Sequence, residues 1–111
     1  MLKGHRIERF EDVDEFLEGL KNLREADVEC TPHTFFRLSE KQRKLFTEGE
    51  LKHLLFCERP LRVGIQCNGN HALYYKHKDK STVIKVIVSF KPAAASIITF
   101  YVLDISELPR G

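Results

Sequence analysis

The stretch that decides the fold is Leu61-Arg62-Val63-Gly64-Ile65-Gln66-Cys67-Asn68-Gly69-Asn70-His71-Ala72-Leu73-Tyr74-Tyr75. Leu61, Val63, Ile65 and Cys67 alternate with Arg62, Gly64 and Gln66, the period of two of a strand with one buried face. Asn68-Gly69 is the dipeptide favoured in two-residue hairpin turns, whose central residues need positive φ. Such a turn sets Cys67 against Asn70, Ile65 against Ala72 and Val63 against Tyr74. Ala72 and Tyr74 then face the core, and Arg62 shares the other face with Tyr75.

Two further apolar rows follow: Ile84, Val86, Val88 and Phe90, then Ile98, Phe100 and Val102. Both use even numbers, the parity of Ala72 and Tyr74. Turns at Lys78-Asp79-Lys80 and between Pro92 and Ser96 join the strands without breaking it. All four strands agree on one inner face, and agreement between levels is what a foldable sequence shows. The other face then displays Arg62, Gln66, His71, Leu73, Tyr75, His77, Val83, Lys85, Ser89, Thr99 and Tyr101. Lys85 lies opposite Leu73 on one side and opposite Tyr101 on the other, with Ile87 against Thr99.

Upstream, the period is helical. Asp12 can cap a helix over residues 13–25, in which Val13, Phe16, Leu17 and Leu20 form one apolar stripe. A short strand is expected between Asp27 and Thr31. Thr31-Pro32 opens a second helix, Thr31 capping and Pro32 at the first helical position. Its Phe35, Leu38 and Leu45 face the core, while His33, Arg37, Lys41 and Lys44 share another side. Thr47-Glu48-Gly49-Glu50 is a capping box for a third helix, with a staple from Phe46 to Leu51 and an end at Pro60. The fold class expected is α+β: N-terminal helices packed on one face of a four-stranded antiparallel sheet.

The chain has 111 residues, enough for a single domain with a core. Residues 1–29 hold five basic and nine acidic side chains (net −4), which leaves +6 for the remainder. A basic surface beside an acidic element suits phosphate contact. An apolar run long enough for a bilayer and a signal-peptide pattern are both missing, so the expectation is a cytoplasmic protein without a membrane partner. Cys30, Cys57 and Cys67 form no C-x-x-C pair and read as reduced thiols.

Cations interleaved with aromatic rings suit single-stranded RNA: Lys and Arg meet phosphates while rings stack on unpaired bases. The expected RNA-binding set is Lys41, Arg43, Arg62, Tyr75, His77 and Lys85. Cleavage through the RNA's own 2′-hydroxyl needs no metal or other cofactor, only a base, cations at the phosphate and an acid for the leaving oxygen. His33, His71 or His77 can trade the proton near neutral pH, and Arg37 or Lys85 can hold the phosphate. His33 and Arg37, one helical turn apart, are the tidiest pair. One competing chemistry is zinc at Cys30, His33, His53 and Cys57, although the spacing is loose and Cys57 follows an apolar run that favours a buried thiol. Another reading is a non-catalytic partner-binding module, in which the acidic helix covers the basic sheet of its own chain or of a homodimer partner.

Helices followed by antiparallel strands resemble the RelE/ParE-like toxin superfamily. Residues 31–101 resemble a branch of it with a Thr-x-His-x3-Arg helix, a basic stretch, a helix ending near Pro and a last strand Ile-Ile-Thr-x-Tyr. The matching residues are Thr31, His33 and Arg37, then Lys41-Gln42-Arg43, Thr47 to Pro60, and Ile97-Ile98-Thr99-Phe100-Tyr101. The resemblance implies a single domain with a RelE-like core over 30–111 and an acidic helical extension over 1–29. It further implies an RNA-directed endoribonuclease, with His33, Arg37, Thr99 and Tyr101 as catalytic positions, and an antitoxin protein as partner. The chain departs from the best-known members at its end, where Arg110 is the one arginine after Tyr101. Ribosome dependence therefore does not carry over.

Overall fold

A computed structural model of the chain describes residues 7–30, 47–77 and 81–108. Strand β1 (Ile7–Glu11) leads directly into helix α1 (Val13–Leu20), which Asp12 caps by accepting the Glu15 N–H at 3.1 Å. Phe16 and Leu20 of α1 are buried, and Val13 and Leu17 pack beside them, so the stripe read from the sequence is the packed one. The helix stops five residues earlier than its period suggests. A 3-10 turn (Glu25–Asp27) follows, with the Asp27 carboxylate accepting the Arg24 N–H, and feeds strand β2 (Val28–Cys30).

Helix α2 (Glu48–Cys57) begins as its capping box requires: Thr47 Oγ1 accepts the Glu50 N–H, and Glu50 Oε1 accepts the Thr47 N–H, both at 3.1 Å. Leu51 and Leu55 are 0% and 2% exposed, which fixes its inner side. Phe46, the other half of the expected staple, and the expected helix after Thr31 lie outside the described residues.

Four further strands complete the described molecule: β3 (Arg62–Gln66), β4 (His71–Lys76), β5 (Thr82–Lys91) and β6 (Ala94–Asp104), closed by a 3-10 turn (Ile105–Glu107). They form a six-stranded sheet in the order β1-β3-β4-β5-β6-β2, antiparallel throughout except for β2 on β6. The fold is α+β with a mixed sheet. The expected four-stranded antiparallel sheet with N-terminal helices is thus corrected, because the first 30 residues supply both edge strands. β1 reads Ile-Glu-Arg-Phe-Glu and carries an irregularity between Ile7 and Arg9, so its apolar residues do not alternate. β2 is the short strand expected between Asp27 and Thr31, but three residues are too few to show which strand it joins.

The hairpin between β3 and β4 departs from the expected register by one residue. The Gln66 N–H donates to the Asn70 carbonyl at 2.8 Å, and the Gly69 N–H to the Gln66 carbonyl at 2.9 Å. Cys67, Asn68 and Gly69 therefore form a three-residue loop, with Gly69 alone at positive φ (+88°). Ile65 opposes His71, Val63 opposes Leu73 and Arg62 opposes Tyr74. A shift of one residue exchanges the faces of a strand. Leu73 and Tyr75 enter the main core, while Ala72 and Tyr74 join a second cluster with Ile87.

The main core joins Phe16, Leu20, Leu51 and Leu55 from the helices to Val63, Leu73, Tyr75, Ile84, Val86, Val88, Ile97 and Phe100 of the sheet. In β6 the pairing jumps from Ile87–Thr99 to Val88–Ile97, leaving Ile98 as the extra residue of a bulge. Phe100 and Ile97 can then both point inward, and Ile98, expected in the core row, packs on the opposite side.

The turn geometry makes a discriminating prediction. Gly69→Ala should cost about 1 kcal/mol or more, because a Cβ disfavours positive φ by that much. Asn68→Ala should cost less, since Asn68 does not have positive φ and loses only an exposed acceptor for the Asn70 N–H. Chemical denaturation of both variants measures the difference; equal losses would indicate the two-residue turn instead.

Candidate nucleic-acid interface

The corrected register divides the expected RNA-binding residues between two sides of the sheet. On the side away from the main core, Arg62 pairs with Tyr74, Tyr74 with Lys85, and Lys85 with Tyr101. This row crosses four strands and alternates cation and ring. Opposite residues on one face lie about 4.5–5.5 Å apart, so the row is continuous. Thr99 stands one pair away, opposite Ile87. The expected pairings of Lys85 with Tyr101 and of Ile87 with Thr99 are present, but the neighbour of Lys85 in β4 is Tyr74 rather than Leu73.

Burial grades this row. Lys85 is half-buried, its ammonium 5.7 Å from the Tyr74 ring centroid, and desolvation lowers its pKa against the opposing pull of Glu107. Tyr74 is 2% exposed, and burial pushes its phenol up to about 12. A ring so enclosed packs the sheet and offers no stacking surface. Tyr101, 38% exposed, does offer one. Ile7, Ile98, Leu103 and Leu108 pack around Ala72, Tyr74 and Ile87, so the middle of this side is a second small core. Gly64 lies close beneath Ile7: a Cβ on it would stand 3.0 Å from Ile7 Cδ1, so that side chain would have to shift. The face is also less purely basic than its strand residues suggest, because Glu107 lies close enough to bear on Lys85.

Tyr75 and His77, expected on the same surface, lie elsewhere. Tyr75 is 1% exposed in the main core, yet it also lines a cleft of about 450 Å³ with Glu58, Arg59, Leu61, Lys76 and His77. Its hydroxyl has no hydrogen-bond partner among the described residues. An unsatisfied buried hydroxyl costs about 1–3 kcal/mol. Burial, with the nearby Glu58 carboxylate, pushes the Tyr75 phenol well above its ordinary range. His77 Nδ1 is 2.9 Å from Thr82 Oγ1, and the Arg59 guanidinium is 2.7 Å from Asp14, whose carboxyl it holds below the usual range. A second cleft of about 210 Å³ continues past Glu58 and His77 to Glu50 and His53.

His71, the third histidine considered for proton transfer, also moves to the inner side. Its ring sits between Phe16 and Phe90, with centroids 5.8 and 4.8 Å away. Nε2 is 3.2 Å from Glu11 Oε2, and Nδ1 is buried without a partner among the described residues. The pair ties β1 to β4 across β3. With Nε2 on the Glu11 carboxylate and Nδ1 closed off, His71 serves as a link between the two strands.

His33, Arg37, Lys41 and Arg43 lie outside the described residues, as does His33 in the zinc alternative. His53 and Cys57 are exposed on α2, contrary to the buried thiol expected at Cys57. Among the described residues, no group of three or more His, Cys, Asp and Glu side chains is placed to hold a metal, and no helix is long and apolar enough to cross a membrane. Tyr74, Glu58 and Arg59 are the residues that sequence reasoning missed. Tyr74 was assigned to the core by a one-residue error, and the other two come from a helix terminus whose position over β4 no local pattern reveals.

The chain is therefore an α+β protein with a helix-covered mixed sheet, a cation–ring row on one side and a polar cleft on the other. No protein-family model matches it, and neither a curated protein nor a solved structure does.

Burial of two phenols predicts alkaline sensitivity. Folding raises the Tyr74 and Tyr75 pKa above the ordinary 10.0, so the unfolded chain loses those protons first and stability falls as pH rises beyond that value. A phenolate absorbance titration should show both rings protonated at about pH 11 in the folded protein, ionising only with unfolding. Reversible ionisation of Tyr74 and Tyr75 in the folded protein near the ordinary value would contradict their burial.

Proposed function

We propose that this domain binds single-stranded RNA and cleaves it without metal, as an endoribonuclease of the RelE/ParE-like toxin type. The observation that carries the RNA half is the Arg62–Tyr74–Lys85–Tyr101 row, with its two cations and one exposed ring on one side of the sheet. Arg62 and Lys85 supply charge for phosphates and Tyr101 a surface for a base. Tyr74 supports the row from beneath, its ring held against the Lys85 ammonium.

The catalytic half rests on the resemblance of Thr31-Pro32-His33-Thr34-Phe35-Phe36-Arg37 and of Ile97-Ile98-Thr99-Phe100-Tyr101 to the toxin branch. In this reading His33 takes the 2′-hydroxyl proton, and Arg37 and Lys85 stabilise the crowded phosphate. Tyr101, with Thr99 beside it on the strand, orients the phosphate and donates its hydroxyl proton to the leaving 5′-oxygen, which departs as an alcohol while the 2′-oxygen closes on phosphorus. The partially desolvated Lys85 acts more strongly on a phosphate than a fully hydrated ammonium would. An antitoxin protein is the partner that the same resemblance brings.

A non-catalytic, protein-binding module is the second reading, and a separate observation favours it. Tyr101 and Ile105 are both exposed large apolar residues near the end of the sheet, and Glu107 partly offsets Lys85 there. Mixed apolar and charged surface of this kind suits a protein partner.

The readings separate in solution. Arg62→Ala and Lys85→Ala should each weaken binding to a single-stranded RNA and reduce the dependence of log Kd on log salt by about one unit. His33→Ala and Arg37→Ala should each abolish cleavage and leave the thermal transition nearly unchanged. Wild-type protein that binds no RNA at low salt removes the proposal. Binding without cleavage in wild type leaves the non-catalytic reading.

A further inference from the structure

The chain does not leave the sheet where β6 ends. Asp104 opens the 3-10 turn as a capping box: its carboxylate accepts the Ser106 N–H at 2.9 Å, and Glu107 Oε2 accepts the Asp104 N–H at 3.1 Å. The Ile105 N–H donates to the Ser81 carbonyl at 2.8 Å, which ties the turn to the residue before β5, and the Leu108 N–H donates to the Ile105 carbonyl at 3.1 Å. Leu108 then packs against the Ala72, Tyr74 and Ile87 cluster, on the side of the sheet that carries the cation–ring row. β6 and β4 are two strand spacings apart, about 9.6 Å, and four residues can cross that distance. Ile105–Leu108 thus folds back onto the row's side of the sheet.

Two features of this segment bear on the row. The Glu107 carboxylate, oriented by its bond to the Asp104 N–H, acts on the Lys85 ammonium at the middle of the row. The cap requires only an acceptor oxygen, so the negative charge is an addition to it, and that charge both satisfies Lys85 and repels an incoming phosphate. The segment is also lightly held. Ile105, Ser106 and Glu107 are exposed and Leu108 is partly buried, and a piece with so little buried area opens at a far lower free energy than the sheet beneath it. We propose that Ile105–Leu108 is an autoinhibitory strap: Glu107 stands in for a phosphate beside Lys85, Leu108 pins the segment to the sheet, and single-stranded RNA binds by displacing both.

The strap rests on the RNA reading of the row, and measurements on the full chain separate the two. Glu107→Gln keeps an acceptor for the Asp104 N–H and removes the charge. It should bind a single-stranded oligouridylate roughly fivefold tighter than wild type at low salt, an advantage that shrinks as salt rises. Leu108→Ala should also bind tighter, with a gain that persists in salt because an apolar contact is loosened; Glu107→Gln decides if that variant fails to fold. Adding RNA to wild type should accelerate amide hydrogen exchange at Ile105 and Leu108. Without RNA, the Lys85 ammonium should lose its proton at lower pH in Glu107→Gln than in wild type, read from its nitrogen chemical shift. Equal RNA affinity of wild type and Glu107→Gln, slower exchange at Ile105 and Leu108 with RNA bound, or an unchanged Lys85 titration overturns the strap and leaves the RNA reading. RNA binding by none of the three proteins rejects the row and the strap together.

Discussion

The positive φ of Gly69 is the constraint on which the two faces of the sheet depend. It lets Cys67, Asn68 and Gly69 close the chain between Gln66 and Asn70, and that closure decides which side each residue of β4 occupies. One residue less in the loop would send Ala72 and Tyr74 under the helices. Leu73 and Tyr75 would then go outward, where their apolar area, worth about 1.5–3 kcal/mol for each large side chain, would face water or the second cluster. The glycine therefore sets more than a turn. It determines that a tyrosine supports Lys85 from one side while another closes a cleft on the other.

A bulge performs the compensating adjustment at the far edge. Without an extra residue at Ile98, a β6 that points Phe100 inward would point Ile97 outward and Ile98 inward. The bulge keeps Ile97, at 0% exposure, beneath the helices and frees Ile98 for the second cluster. Both sides of the sheet thus acquire apolar packing, the larger one under α1 and α2 and the smaller one around Tyr74 and Ile87. This explains why β4 and β5 contain nearly continuous buried runs where an alternating pattern was expected.

Local signals were legible and pairing was not. The Asp12 cap, the Thr47–Glu50 capping box and the α1 stripe each depend on residues within one or two helical turns. The even-numbered row of β5 likewise reads directly as buried in Ile84, Val86 and Val88. Asn68-Gly69, by contrast, fits both a two-residue loop and a three-residue loop, and the sequence pattern is compatible with either because Ala72-Leu73-Tyr74-Tyr75 is apolar at every position. The edges of the sheet were legible only in part: the short strand expected between Asp27 and Thr31 is β2, but its place in the sheet was hidden, and β1 was not expected. β1 is irregular at Glu8, and β2 gains its place through a parallel partner some 67 residues later, Val28 against Ala95. Of the candidate site, Lys85 and Tyr101 were found together because they belong to one hairpin. The separation of Tyr75 and His77 from them followed from the register error alone.

That separation is smaller than opposite faces suggest. Arg62, first residue of β3, begins the outer row, and Leu61 just before it lines the cleft. In β4, Tyr74 belongs to the row, while Tyr75 and Lys76, its next two neighbours, belong to the cleft. A strand advances about 3.3 Å per residue, so both sites converge on the same end of β3 and β4.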